Sequence, residues 1–261
     1  VGMEFLGIAP DTVLSFLLTL FRVSIVLFML PFYGGDTIPR SVKAALTLVV
    51  TLAFWPHLSL PGSAFPTHPV SIILMILGEA AMGLTLGLIV HFIFAAIQTG
   101  GQIVGFQMGF AMVNVIDPIT GTSEAVTAHF LWMVAMLTFL TLGGHLYLLF
   151  AVTKSFELVP PGSLFITPAV AGRVLEFSGQ MFILAVRIAA PIMVSLFLVD
   201  LGLALVSRAA PQMNVLFVGF PIKVGVGFFF LGLVFTIISN YMGRFIDQFL
   251  AIFDSLMRLA A

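Results

Sequence analysis

The stretch "GGQIVGFQMGFAMVNVIDPITGTSEAV" occupies residues 100–126. It is too broken by glycine and by Asp117-Pro118 to be a clean membrane span. It carries no lysine or arginine, so it is not an ordinary cytoplasmic loop either. On each side lies a long apolar segment, residues 70–97 and 126–152. A hydrocarbon core about 30 Å thick is crossed by roughly 20 apolar residues as helix. The stretch therefore reads as an interruption between two membrane segments, and the class of the whole chain follows from its flanks.

Composition agrees. Of 261 residues, 61% are hydrophobic and 8% charged, against about 25% charged in a soluble domain. With a mean hydropathy of +1.21 the chain has too little polar surface to cover a soluble globule,. It is integral to a membrane or packed in an assembly that replaces one. A net charge of -1 gives no footprint for nucleic acid,. The absence of cysteine excludes disulfides, zinc-thiolate sites and cysteine nucleophiles,.

Further hydrophobic segments run over residues 12–32, 42–54, 179–206 and 224–245, giving about six in all. Residues 42–54 are short for a span, and Pro191 predicts a kink in 179–206. The connector at 55–69 is proline-rich. Residues 207–223, "SRAAPQMNVLFVGFPIK", read as an irregular, punctuated segment,. The tail reads as an amphipathic helix with Phe245, Phe249, Ile252, Phe253 and Leu256 on one face,. The expected fold is an all-α membrane protein with helical segments in hairpins, a single domain over 1–261, and an irregular Gly/Met-rich loop at 102–124. The ten lysines and arginines fall about equally on the two sides of a six-span arrangement. The charge rule for orientation is thus silent, which favours a chain held by partners.

In the central stretch Gly101, Gly105 and Gly109 recur every four residues, as Gly83 and Gly87 do upstream. On a helix, such spacing lets another backbone approach closely. Each glycine also weakens the helix by roughly 0.8–1 kcal/mol relative to alanine. Pro118 then disfavours helical geometry at Asp117. Non-helical backbone at membrane depth persists only when it is buried in protein or lines an aqueous cavity. The first reading is a helix-packing face followed by an interfacial loop. The second is a movable apolar plug, since Met and Phe adapt to irregular gaps. A selectivity filter or substrate hairpin is the third.

Arg22, Glu79, Arg187 and Asp200 are polar residues in or near apolar segments, as are His91 and His129. A charge at the bilayer centre costs about 2.5–3.5 kcal/mol on insertion scales, so each is a functional candidate. The plain alternatives are snorkelling, capping or pairing for the charges, and structural hydrogen bonds for the histidines. Arg187 and Asp200 fall on different faces of a straight helix. The five histidines lack metal-ligand spacing, and nucleotide-binding and hydrolase motifs are missing,. No cofactor and no enzymatic activity are expected.

Three stretches together carry a resemblance: "GEAAMGLTLGLIVHFIFAAIQTGGQIVGFQMGFAMVNVIDPITG" (78–121), "LTLGGHLYLLFAVTKSFELVP" (140–160) and "PQMNVLFVGFPIKVGVGFFF" (211–230). They resemble the FliR/SctT family of type III export-gate membrane proteins, whose length and hydropathy agree across essentially the whole chain. The resemblance implies a channel component for unfolded flagellar proteins in the bacterial inner membrane, at the flagellar basal body. It implies a hetero-oligomeric helical assembly with FliP-like and FliQ-like subunits and a FlhB-like subunit alongside. It also implies that the loop lies in the lumen and closes it. On that view Phe106, Met108, Phe110, Met112, Val113, Val115 and Ile116 seal, Gly105, Gly109 and Gly121 bend, and Asp117-Pro118 fixes the turn. Pro211, Gln212, Asn214, Gly219, Pro221 and Lys223 become a subunit interface. The alternatives are a stand-alone small-solute transporter or channel, and the injectisome counterpart of the same family.

Overall fold

The computed structural model describes residues 10–35, 38–58, 68–110, 126–159 and 167–260. All elements among them are helices: α1 (Pro10–Met29), α2 (Pro31–Gly34), α3 (Arg40–Leu58), α4 (Pro69–Met108), α5 (Val126–Thr141), α6 (Gly144–Leu158), α7 (Pro168–Ala209) and α8 (Val215–Ala260). Proline opens α1, α2, α4 and α7. Its fixed φ suits the first helical position, where its missing N–H would have no partner anyway. Thr167 caps α7 through a bond from the Val170 N–H to Oγ1 (3.2 Å), and Asn214 caps α8 by accepting from the Phe217 N–H.

Every hydrophobic segment read from sequence is helical, but they are not equivalent spans. Among the described residues four helices are long and apolar enough to cross a membrane: α1, α4, α7 and α8. The bent pair α5–α6, turning by 65° at Gly143 (φ +73°), adds a fifth as one broken span. All six expected hydrophobic segments are thus helical, and four or five spans are counted among the described residues. Helix α3 has 19 residues.

Pro191 and Pro221 both lie inside continuous helices. The segment expected to be irregular over 207–223 is therefore mostly helical, with the break confined to residues 210–214. Pro221 costs α8 one internal hydrogen bond, and the Asn214 cap holds the turn before it. The amphipathic tail is likewise the end of α8 and not a separate helix, with Phe249, Phe253 and Leu256 buried as expected.

The chain forms two compact units, and their boundaries fall within α4, α7 and α8 and between α5 and α6. In the first (residues 1–92, 143–177 and 246–261), α1 packs on α3 and on the first half of α4. The Thr19, Thr47 and Thr51 hydroxyls, all buried, donate to carbonyls four residues back and so satisfy themselves within their helices,. A Cβ at Gly83 would stand 3.0 Å from the Arg22 carbonyl oxygen, and one at Gly87 2.3 Å from Met29 Cβ. These glycines are packing positions, as their spacing predicts.

In the second unit (residues 93–142 and 178–245), Gly100 and Gly101 let α4 meet two helices. A Cβ at Gly100 would lie 2.9 Å from the Ala185 carbonyl oxygen of α7. One at Gly101 would lie 2.6 Å from Ala128 Cα of α5. Thr127 Oγ1 donates to the Gly101 carbonyl at 2.8 Å. Phe94 and Phe139 fill the space beside this crossing edge to face, with centroids 5.5 Å apart.

The glycines thus divide into close-packed and open positions, which a substitution pair separates. Gly101→Val forces the α5 backbone away and should cost about 1–3 kcal/mol as an overpacked core does. Gly232 has nothing within 4 Å of a Cβ, so Gly232→Ala should gain up to about 1 kcal/mol of helix preference. Thermal unfolding in detergent, followed by circular dichroism, should show the first variant melting earlier and the second no earlier than the parent. Equal melting of the two would contradict this packing.

Candidate functional site

Two constellations of polar or unusual residues stand out, one in each unit. In the first unit Arg22 of α1 and Glu79 of α4 form a bidentate ion pair: Nε to Oε2 at 2.6 Å and Nη2 to Oε1 at 3.0 Å. Both side chains are 1% exposed. The remaining guanidinium donors reach α6, with Nη1 on Ser155 Oγ (3.1 Å) and Nη2 on the Val159 carbonyl (3.2 Å). The Phe156 ring covers the guanidinium at 4.0 Å. The Ser155 hydroxyl in turn donates a hydrogen bond to the Val152 carbonyl. Arginine's planar fork suits this role because it satisfies a carboxylate and two further acceptors at once. The arrangement ties α1, α4 and α6 in one register. Its chemistry is structural: all three guanidinium nitrogens donate to groups of this chain and the side chain is 1% exposed.

In the second unit the end of α4 meets the α7–α8 hairpin. The helix stops at Gly109, whose φ of +91° is strained for any residue with a Cβ,. Just before it, Met108 is fully buried, and a Cβ at Gly227 of α8 would lie 2.6–2.8 Å from three of its side-chain atoms. Just after it, the Phe110 ring meets Phe220 edge to face with centroids 6.5 Å apart. The Phe220 ring also abuts Gly109, 3.2 Å from where a Cβ would stand. Asp200 of α7 and Lys223 of α8 form an ion pair that straps the hairpin. Between these groups lies a cavity of about 720 Å³, with walls from Met108, Gly109, Leu203, Phe217 and Phe220 and the Asp200–Lys223 pair among its lining.

Of the residues expected to form a plug, Gly105 is buried, Phe106 is exposed at 61%, and both are helical. Met108, Gly109 and Phe110 anchor the end of α4. Met112, Val113, Val115, Ile116, Asp117, Pro118 and Gly121 lie outside the described residues. Gly105 continues the helical strip begun by Gly101, but Gly109 does not, because the helix ends at Met108 and the chain turns off at Gly109. Of the expected interface residues, Pro211 and Gln212 are exposed in the interhelical turn and Asn214 caps α8. Gly219 is buried, a Cβ there standing 2.9 Å from Leu203 Cδ1. Asp200 pairs with Lys223 and not with Arg187. Arg187 is exposed and makes no ion pair among the described residues. His129 stacks on Trp132. Phe220 and Gly227 have no distinguishing sequence signal beyond lying in a Gly/Phe-rich run. Ser155 has none.

The ion pair sets a clear expectation. Glu79→Ala or Arg22→Ala leaves one buried charge without its partner and should destabilise by about 3–5 kcal/mol, whereas Arg22→Met with Glu79→Leu should recover much of that loss. Yield and unfolding temperature of the purified variants measure it. A single variant as stable as the parent would contradict the buried geometry.

Residues 13–249 match the model of the family described as bacterial export proteins, family 1. The chain is 32% identical to flagellar biosynthetic protein FliR of Bacillus subtilis (strain 168), over 89% of this chain and 92% of that protein. It is 29% identical to flagellar biosynthetic protein FliR of Escherichia coli (strain K12), over 85% and 84%. Surface presentation of antigens protein SpaR of Salmonella typhimurium is 31% identical over 82% of this chain and 80% of its own length. Coverage of this extent, through both units, leaves one conclusion: the chain belongs to the bacterial export proteins of family 1, the FliR/SctT family of type III export-gate membrane proteins.

Proposed function

We propose that the chain forms part of a protein-conducting channel and closes it with the apolar loop that follows Phe110. As a family member it is a membrane-embedded component of a type III protein export gate. The observation that carries the closing role is the anchored end of α4. Met108 is seated on Gly227, Gly109 turns the chain, and Phe110 is braced on Phe220. The loop therefore leaves from a fixed stem. Its sequence through Ile116 is apolar except for Asn114, and Asp117-Pro118 follows. In this reading Met112, Val113, Val115 and Ile116 exclude water and solutes, and Asp117, Pro118 and Gly121 shape the return. An apolar plug on a fixed stem can hold back ions and still yield to an unfolded chain.

The family match runs through both compact units, which supports one functional domain. The role is that of conduit and scaffold and not of enzyme, with energy supplied by partners. FliP-like and FliQ-like subunits, with a FlhB-like subunit alongside, are the partners we assign, in the bacterial inner membrane at the flagellar basal body. The exposed face of α7 supports a chain that is covered by others. Phe182, Ile183, Val186, Val194 and Phe197 are all more than half exposed. Arg187 sits among them near the middle of a 42-residue helix. A cation there costs about 2.5–3.5 kcal/mol unless a group outside this chain compensates it.

Because Met108 is a core residue, the informative deletion starts beyond it. Removing residues 111–122 should raise the ion permeability of membranes carrying the gate while leaving the amount of assembled gate nearly unchanged. A barrier as tight as the parent's would rule out the plug.

A further inference from the structure

We propose that the exposed face of α7 docks a membrane-spanning helix of another export protein, and that this helix carries an aspartate or glutamate near its middle to pair with Arg187. The inference deepens the assembly reading above and rests on it.

Arg187 stands at the centre of an uncovered face. Ala185, Ala189, Ile192 and Leu196 are at most 1% exposed and form the buried stripe of α7 in the second unit. With about 100° of turn per residue, Arg187 points to the opposite side. Ile183, Val194, Leu198 and Leu201 share that side, each 50–60% exposed. The Arg187 side chain is exposed as well and makes no ion pair among the described residues.

Arg187 also stands deep. Residues 177–199 carry no charge except its own. As helix they span about 34 Å, close to the roughly 30 Å of a hydrocarbon core. Arg187 lies near the middle of that run, between Glu176 and Asp200. Headgroup phosphates are then about 15 Å away along the helix, farther than an arginine side chain extends, so snorkelling does not bring the charge to them. The backbone adds to the polarity of the spot. Pro191 lies inside α7 and has no N–H, so the Arg187 carbonyl lacks its ordinary helical donor,.

These features define the partner's chemistry. The apolar residues on either side call for a hydrophobic helix. The cation between them calls for a carboxylate, which accepts two parallel bonds from a guanidinium. A second copy of this chain is a poor source. Among its described residues Glu79 and Asp200, the acids in or beside apolar runs, already pair with Arg22 and Lys223. A pair made at this depth holds the docked helix in one register and rejects a helix without an acid.

The test uses the assembled gate in its own membranes. A photoreactive benzoylphenylalanine at Ile183 or Val194, on either side of Arg187, should cross-link to a membrane helix of another export protein. Mass spectrometry of the product then identifies that helix and its central acid. Arg187→Glu should lower the share of this chain found in the mixed particle about ten-fold or more, and Arg187→Lys should keep most of it. Changing the partner's acid to arginine alongside Arg187→Glu should restore assembly, which damage to this chain's own fold would not allow. A cross-link only to lipid, to a second copy or within this chain overturns the contact. So does Arg187→Glu assembling like the parent, or a charge swap that restores nothing. If the parent particle is mixed in those cases, the assembly reading stands without this contact. A parent chain found alone removes both.

Discussion

The structure depends on helix backbones meeting at glycine. In an apolar surround, burial of hydrocarbon gives helices little reason to prefer one another over lipid, so contact distance decides. Gly83 and Gly87 bring α4 onto α1, and Gly100 and Gly101 bring it onto α7 and α5. At each of these, a single added methyl group would meet another residue at 3.0 Å or less. The one forty-residue helix thus serves as the spine of both units, and its glycines set the geometry of each.

Polar groups are then placed where this close packing leaves something to be held. The Arg22–Glu79 pair fixes three elements of the first unit in register, with each guanidinium nitrogen donating. The Asp200–Lys223 pair, with side chains 51% and 24% exposed, is wetter and weaker, and it sits where the second unit carries its cavity,.

Much of this could be read from the residues. Four-residue glycine spacing announced the α4 packing face, and hydropathy located every long helix. Other parts needed the fold. Arg22 and Glu79 are visible as costly charges, but nothing local says that residues 57 apart in sequence meet. Pro221 looks like a helix breaker and is not one, because capping at Asn214 and lateral packing outweigh one lost hydrogen bond. Gly109 looks like the third member of a strip and instead ends the helix, since spacing cannot reveal a sign of φ. Phe220 and Gly227 lie in a run of similar residues and gain meaning only from what touches them.

As a member of its family this chain belongs to an export-gate complex with other export proteins. The direct measurement is native mass spectrometry of the tagged protein extracted gently from its own membranes. A particle with this chain beside several copies of other small hydrophobic subunits is the predicted result. A lone chain, or a homo-oligomer stable through purification, would contradict it.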